Sequence, residues 1–75
     1  MRNYDVFAKW DAEASVWVAS SDDIPGLVAE AATWDALKAK LGALASELIE
    51  LNHIAIDPDG GQLVIHSEDR VAVAA

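Results

Sequence analysis

A stripe of leucines in the middle of the sequence limits how this chain can fold. The leucines recur at spacings of four and three residues, at Leu37, Leu41, Leu44, Leu48 and Leu51. This spacing places them on one narrow side of an α-helix, with Trp34 and Ala45 flanking the stripe. Thr33 is a good N-cap for this helix, and Asn52 can end it. A helix that is apolar on one side must bury that side against a second layer.

Segments with the pattern of β-strands lie on both sides of the predicted helix. They are residues 4–10, 15–20 and 27–31 before it, residues 62–66 after it, and residues 70–74 as a candidate last strand. In the first segment Tyr4, Val6, Ala8 and Trp10 share one side, although Phe7 interrupts the alternation. The second segment carries apolar groups on both sides and is rich in residues that favour strands.

Two segments that contain proline and glycine separate these elements. In residues 21–26, Pro25 fixes its own φ and favours an extended Ile24. Gly26 can then take the positive φ that a type II turn requires. Residues 57–61, which contain a proline and two glycines, separate the helix from the following strand. A short polar connection at residues 11–14 suits a hairpin between the first two strands.

The resulting prediction is an α+β fold with the order β-β-β-α-β and a possible last strand. We expect an antiparallel sheet of three to five strands with one helix packed on one face. The length of 75 residues suits a single domain over residues 1–75, without a separate DNA-binding domain. One helix covers only one face of a sheet, so some of Phe7, Val16, Val18 and their neighbours are left on the other face. The hairpin register is not determined by the sequence, so either set of side chains can face the helix. Our hypothesis is that the uncovered face meets a second copy, giving a homodimer or a higher homo-oligomer.

The charge of the chain limits the classes of molecule that it can bind. Thirteen acidic residues stand against five basic ones, for a formal net charge of −8. Nucleic-acid backbones attract basic surfaces, so direct binding to nucleic acid is disfavoured. An acidic surface suits a basic protein partner, and it also keeps a domain soluble without any partner. The sequence lacks cysteine, an apolar run of membrane-spanning length and a signal-peptide pattern. We therefore expect a cytoplasmic location and no membrane contact.

Patterns typical of catalysis or cofactor binding are missing from the sequence. Metal-dependent nucleases need several converging carboxylates, and the inward helix stripe carries only leucine, tryptophan and alanine. His53 and His66 have no second ligand at metal-binding spacing. Gly60 and Gly61 follow a helix and precede a strand, which is the wrong order for a phosphate loop. We predict no catalytic residues, no metal and no cofactor.

An acidic group surrounds the predicted turn and the start of the helix. It comprises Asp22, Asp23, Glu30 and Asp35, with Trp34 beside them as the best candidate for a partly exposed tryptophan. One interpretation is turn chemistry and helix capping. The other is a docking edge for a basic protein, in which case all five residues bind the partner. The sequence leaves both interpretations open.

Residues 10–31, WDAEASVWVASSDDIPGLVAEA, resemble the front half of HicB-like antitoxin domains. Those domains pair a hairpin with a turn of the Pro-Asp-Leu-Pro-Gly kind, followed by a short strand and a helix that begins at a threonine. Here residues 22–26 correspond to the turn and Thr33 to the helix start. The resemblance is greatest to a short HicB-like subfamily of uncharacterised function, and it covers about residues 3 to 66.

The resemblance implies a partial ribonuclease H-like fold without its active site. It also implies a partner, a small basic HicA-type toxin that cuts messenger RNA and whose catalytic histidine the antitoxin shields. Many relatives carry a DNA-binding segment after the last strand, which this sequence is too short to hold, so we expect no operator binding. The predicted function is toxin neutralisation by direct contact. The alternative is a stand-alone oligomeric domain with a structural or small-ligand-binding role.

Overall fold

Four strands and one helix make up the fold. The computed structural model describes residues 1–74. In chain order the elements are β1 (Arg2–Asp11), β2 (Val16–Ser20), β3 (Val28–Ala31), α1 (Trp34–Leu51) and β4 (Gly61–Glu68). The predicted α+β class, the order of the elements and the single helix packed on the sheet are confirmed.

The sheet is mixed, with the strand order β3-β2-β1-β4. β1 pairs antiparallel with β2, and β2 pairs antiparallel with β3. β4 pairs with β1 in parallel, so the prediction of a wholly antiparallel sheet is wrong. The reason lies in α1, which carries the chain back along the sheet so that β4 starts at the same end as β3. A parallel pair requires a long crossover of this kind, and β3-α1-β4 supplies it.

The alternation along β1 decides which residues face the helix. Tyr4, Val6 and Ala8 are all buried, as the sequence pattern predicts. β1 extends beyond the predicted residues 4–10 at both ends. Its parallel pairing with β4 begins at Arg2, and its pairing with β2 extends to Asp11. The interruption in the pattern at Phe7 is real, because this side chain points away from the core and is 55% exposed.

The predicted turn between β2 and β3 forms as expected. Gly26 has a φ of +84°, a conformation that a side chain makes costly. The N–H of Leu27 donates to the carbonyl of Ile24 at 3.1 Å, and the N–H of Ser21 donates to the carbonyl of Leu27 at 3.1 Å. Both Ile24 and Leu27 are buried. Leu27 therefore belongs to the turn, and β3 begins one residue later than predicted.

Thr33 caps α1 as predicted, because its hydroxyl accepts a hydrogen bond from the N–H of Ala36 at 3.2 Å. The leucine stripe, however, does not stay against the sheet along the whole helix. Leu37 is buried, Leu44 is half-buried, and Leu51 is 72% exposed. These three leucines are seven residues apart, and a straight α-helix drifts by about 20° per heptad. Each successive leucine is therefore turned further away from the core.

The core lies between the sheet and α1. Its buried hydrophobic residues are Tyr4, Val6, Ala8, Ala19, Ile24, Leu27, Ala29, Ala31, Leu37, Leu41 and Ala45. The helix packs mainly over β3 and β2, at one side of the sheet. Residues 69–74, which we call the tail, carry no regular secondary structure, so the candidate strand at residues 70–74 is not formed. Among residues 1–74 the pairing of β4 with β1 ends at Glu68, and the tail pairs with none of the described strands.

Candidate protein-binding surface

The side of the sheet that faces away from α1, here called the outer face, carries two rows of side chains that cross all four strands, with Asp5 and Val64 before them along β1 and β4 and Asp11 and Val16 after them along β1 and β2. The strand register aligns Val28, Ser20, Phe7 and His66 as the first row, across β3, β2, β1 and β4. It aligns Glu30, Val18, Lys9 and Glu68 as the second row. The described helix packs on the opposite side, so this face is left open by the fold.

The two rows of the outer face carry three apolar side chains, with Phe7 at the centre and Val28 on the edge strand β3. Phe7 is 55% exposed and Val28 is 63% exposed, while Val18 in the second row is half-buried. The ring of Phe7 stacks on the imidazole of His66, with the centroids 4.9 Å apart and an interplanar angle of 18°. An exposed aromatic ring that is already held in place loses little conformational freedom when a partner covers it.

Carboxylates lie around these apolar side chains. Asp5 and Glu68 lie on β1 and β4, and Glu30 lies at the β3 side. His66 Nε2 is 3.0 Å from Asp5 Oδ1, and Lys9 Nζ is 3.9 Å from Glu68 Oε2. The side chains of these two pairs are all about half exposed or more. Pairs as exposed as these contribute little to stability, so their charges remain available to a partner.

The turn that precedes β3 borders the outer face and is held by one serine. The hydroxyl of Ser21 donates to the carbonyl of Asp5 at 2.6 Å and accepts from the N–H groups of Asp23 and Ile24 at 3.1 and 3.3 Å. Asp23 Oδ2 accepts a hydrogen bond from the N–H of Asp5 at 2.7 Å. Asp23 therefore has a structural role in joining the turn to β1, as the plainer interpretation of the acidic group proposed.

The five residues predicted to bind a partner lie at three separate places in the structure. Asp22 and Asp23 lie in the turn at one end of β3, where Asn52 Nδ2 at the end of α1 donates to the carbonyl of Pro25 at 3.3 Å. Trp34 and Asp35 lie beyond the other end of β3, at the start of α1. Glu30 stands on the outer face between them. The five residues therefore do not form one cluster, because β3 separates the turn from the helix start.

Trp34 belongs to a row of aromatic rings on the helix side of the sheet. Its ring meets that of Trp17 edge to face at 4.9 Å, and Trp17 meets Trp10 at 5.4 Å. Trp34 is half-buried, so part of it reaches the surface. Asp35, by contrast, is almost fully exposed, and its carboxylate lies 3.7 Å from Lys38 Nζ one turn along the helix. Trp34 therefore packs between the helix and the sheet, and only part of its ring is available to a partner.

The sequence reasoning did not identify Phe7 and Val28 as site residues, although it left Phe7 for the uncovered face. The signal for Phe7 was present as the break in the alternation of β1. The register could not be derived, because a shift of one residue exchanges the two faces of a strand. Only the observed pairing of Phe7 with Ser20 and His66 brings the outer-face residues together.

Groups that could hold a metal ion were also sought in the structure. Among residues 1–74, three or more histidine, aspartate or glutamate side chains do not come together at any point. His53 follows α1 with a φ of +53°, and His66 lies on β4. Over the same residues, α1 does not combine the length and hydropathy needed to cross a membrane.

Comparison with known proteins gives one family and one solved structure. Residues 3–74 match the family described as Domain of unknown function (DUF1902). The fold is similar to the crystal structure of a hypothetical protein from the extremely thermophilic bacterium Thermus thermophilus. That protein is 43% identical, the match covers 96% of this chain and 100% of the other, and the TM-score is 0.83. Among curated proteins, none matches the sequence. Neither of the two descriptions names a reaction, a ligand or a partner.

Proposed function

The chain belongs to the family of the domain of unknown function DUF1902, and from this starting point we propose that it is a protein-binding module whose outer face binds a basic protein. The observation that carries the proposal is the arrangement of this face. An exposed Phe7 lies at its centre on β1, an exposed Val28 lies on the edge strand β3, and the carboxylates of Asp5, Glu30 and Glu68 lie around them. Protein interfaces commonly have this plan, with an apolar centre rich in aromatic residues and a polar rim.

Charge favours a basic partner over a second copy on this surface. Each copy carries a formal net charge of −8. Bringing two outer faces together would place Asp5, Glu30 and Glu68 of each copy near those of the other. Like charges held close across an interface are costly, whereas complementary charges speed association. The hypothesis that the uncovered face meets a second copy is therefore the less favoured use of this surface.

The partner that the sequence resemblance implies is a small basic HicA-type toxin. A toxin that cuts messenger RNA needs a positively charged surface around its active site, because its substrate carries phosphates. The acidic rim of the outer face would attract the same surface, and Phe7 would then cover the groups near the catalytic histidine. In this proposal the domain acts in the cytoplasm by occupying the toxin, and it needs neither turnover nor a cofactor.

The test of this proposal is co-expression with the product of the adjacent gene, measuring growth, co-purification and the dissociation constant of the complex. Phe7→Ala should weaken binding at least about tenfold, as expected for an aromatic anchor at the centre of an interface. The matched control is Leu51→Ala, which removes an exposed apolar side chain from α1 and should leave binding unchanged. Circular dichroism should show that both variants remain folded.

A second pair of variants tests the acidic rim. Glu30→Lys on the outer face should slow association and reduce the salt dependence of binding. Glu47→Lys makes the same charge change on the exposed side of α1, away from the outer face, and should have a much smaller effect. If no basic product of an adjacent gene binds, or if each variant and its control bind equally well, the proposal is wrong. The stand-alone alternative would then be favoured.

A further inference from the structure

β4 leaves a long strand edge open. It lies at the end of the sheet and pairs only with β1 among the described strands. The N–H of Arg2 donates to the carbonyl of Gly60 at 3.3 Å, so the carbonyl of Gly60, just before β4, points towards β1. Because that direction alternates along a strand, the N–H and C=O groups of Gly61, Leu63, Ile65 and Ser67 point away from β1. An open edge of this length is a template for pairing with another strand.

The tail, residues 69–74, follows β4 directly and has the composition of a strand. Val71 and Val73 are 85% and 89% exposed, so both valines are left in solvent by this subunit. The protein measures 52 Å along its long axis and about 20 Å along the others. Its radius of gyration is 14.0 Å, compared with about 11 Å for a compact domain of this length. The subunit is thus elongated, with apolar side chains exposed beyond the end of β4.

The helix layer is also incomplete at this edge. Between the second half of α1 and β4 lies an open groove with a volume of about 770 Å³. Its apolar walls come from Ala45 and Ile49 on the helix, Ile54 and Ile56 after it, and Leu63 on β4. If the tail continued the alternation of β4, Val71 and Val73 would lie on the same face as Leu63, the face that carries the groove. The groove lies at the start of β4 and the tail follows its end, so a tail can reach a groove only in an antiparallel pair of copies.

We propose that β4 pairs antiparallel with β4 of a second copy, so that the two sheets continue as one of eight strands. Antiparallel pairing of a strand with itself obeys a two-fold axis and satisfies both open edges at once. It lays the tail of each copy beside residues 54–60 of the other. Val71 and Val73 then cover the apolar groove of the second copy, next to its Ile54 and Ile56.

Charge at this edge is compatible with a second copy as the occupant. The tail carries Asp69 and Arg70, whose Nη2 is 3.4 Å from Glu68 Oε2, and the loop before β4 carries Asp57 and Asp59, whose Oδ2 is 2.6 Å from the N-terminal amine. Antiparallel pairing about the middle of β4 brings Arg70 of each copy close to the loop aspartates of the other. On the outer face three carboxylates, those of Asp5, Glu30 and Glu68, stand against the single lysine Lys9, so this face is the less complementary surface for a second copy. The two surfaces therefore have separate partners, and the outer face remains open in the dimer.

The dimer is tested by light scattering coupled to gel filtration over a range of protein concentrations. The unmodified chain should have twice the 8.0 kDa mass of one copy at micromolar concentration. Ser67→Pro removes an N–H that points to the open edge and keeps the pairing with β1, so it should raise the dimer dissociation constant at least about tenfold. The double variant Val71→Asp and Val73→Asp should do the same, and it changes only residues that are exposed in one subunit.

The control is Val28→Asp, which places one new carboxylate on the outer face, compared with two in the double variant. It should leave the dimer mass unchanged, and Phe7→Ala should weaken only the binding of the basic partner, so the two proposals fail independently. A chain that stays at 8.0 kDa when concentrated to the millimolar range would overturn the dimer. A dimer that persists in the tail variant but is lost in Val28→Asp would also overturn it, because the outer face would then be the contact.

Discussion

At the scale of single residues, Ser21 and Asp23 hold the turn that precedes β3 against β1. Ser21 donates one hydrogen bond to β1 and accepts two from within the turn that precedes β3, and Asp23 accepts a second hydrogen bond from β1. These contacts hold the loop that carries Ile24 and Leu27 into the core. The polar residues of the turn therefore have a structural task before any partner is considered.

Glycine substitutions should have opposite effects at two positions. A Cβ atom on Gly61 would lie 2.9 Å from Cε2 of the buried Tyr4 ring and 3.3 Å from the carbonyl oxygen of Arg2. We expect Gly61→Ala to lower the free energy of unfolding by about 1–3 kcal/mol, because the core must shift to admit it. Gly42 lies within α1 with no atom within 4 Å of such a Cβ. Gly42→Ala should raise stability by about 0.5–1 kcal/mol.

Urea unfolding followed by circular dichroism measures both changes. The comparison is informative because the same methyl group is added in each case. Equal effects at the two positions would contradict the close approach of Tyr4 to Gly61. They would also mean that β4 begins differently from the structure described above.

At the scale of elements, the leucine stripe of α1 is divided between core and solvent. Leu41 is buried against the sheet, while Leu51 is 72% exposed at the end of the same stripe. The residues that continue to face the sheet follow spacing of four, through Leu37, Leu41 and Ala45. A sequence pattern of leucines does not distinguish these positions, because it describes the helix and not the sheet beneath it.

Alanine substitutions along this stripe should therefore differ in effect. Leu41→Ala should lower the free energy of unfolding by about 2–5 kcal/mol, because it leaves a cavity in the core. Leu51→Ala removes a side chain that is already largely in solvent and should change stability by less than about 0.5 kcal/mol. Thermal and urea unfolding of the two variants provide the measurement. Similar losses at both positions would show that the end of α1 is covered.

At the scale of the whole molecule, size makes association important. A domain of 75 residues buries a limited share of its surface, and without disulfides it depends strongly on its contacts. The outer face and the edge of β4 are two distinct surfaces through which such contacts can form. If both proposals hold, their separation on the sheet would let one copy bind a second copy and a basic partner together.

Dimer formation has a thermodynamic consequence that needs no structural probe. If folding and association are coupled, the melting temperature should rise with protein concentration, because mass action favours the dimer. The double variant Val71→Asp and Val73→Asp should lose this dependence, while Val28→Asp should keep it. Differential scanning calorimetry at several concentrations measures the effect. A melting temperature independent of concentration in the unmodified chain would count against the dimer.

The sequence determined the features that depend on neighbouring residues. The turn at Pro25 and Gly26, the capping by Thr33 and the shared side of Tyr4, Val6 and Ala8 along β1 all follow from local sterics, hydrogen bonding and periodicity. The α+β class followed as well, because a single amphipathic helix among strand patterns has few ways to bury its apolar side.

Only the tertiary structure decided how these elements meet. It placed β4 beside β1 in parallel, moved Leu51 out of the core, and assembled Phe7, Val28 and Glu30 from separate strands into one surface. It also placed Asp22 and Asp35, which are close in sequence, at opposite ends of β3. Register and strand order depend on pairings between residues that are far apart in the chain. No local preference encodes them, because either face of a strand satisfies the same local rules until a partner strand is chosen.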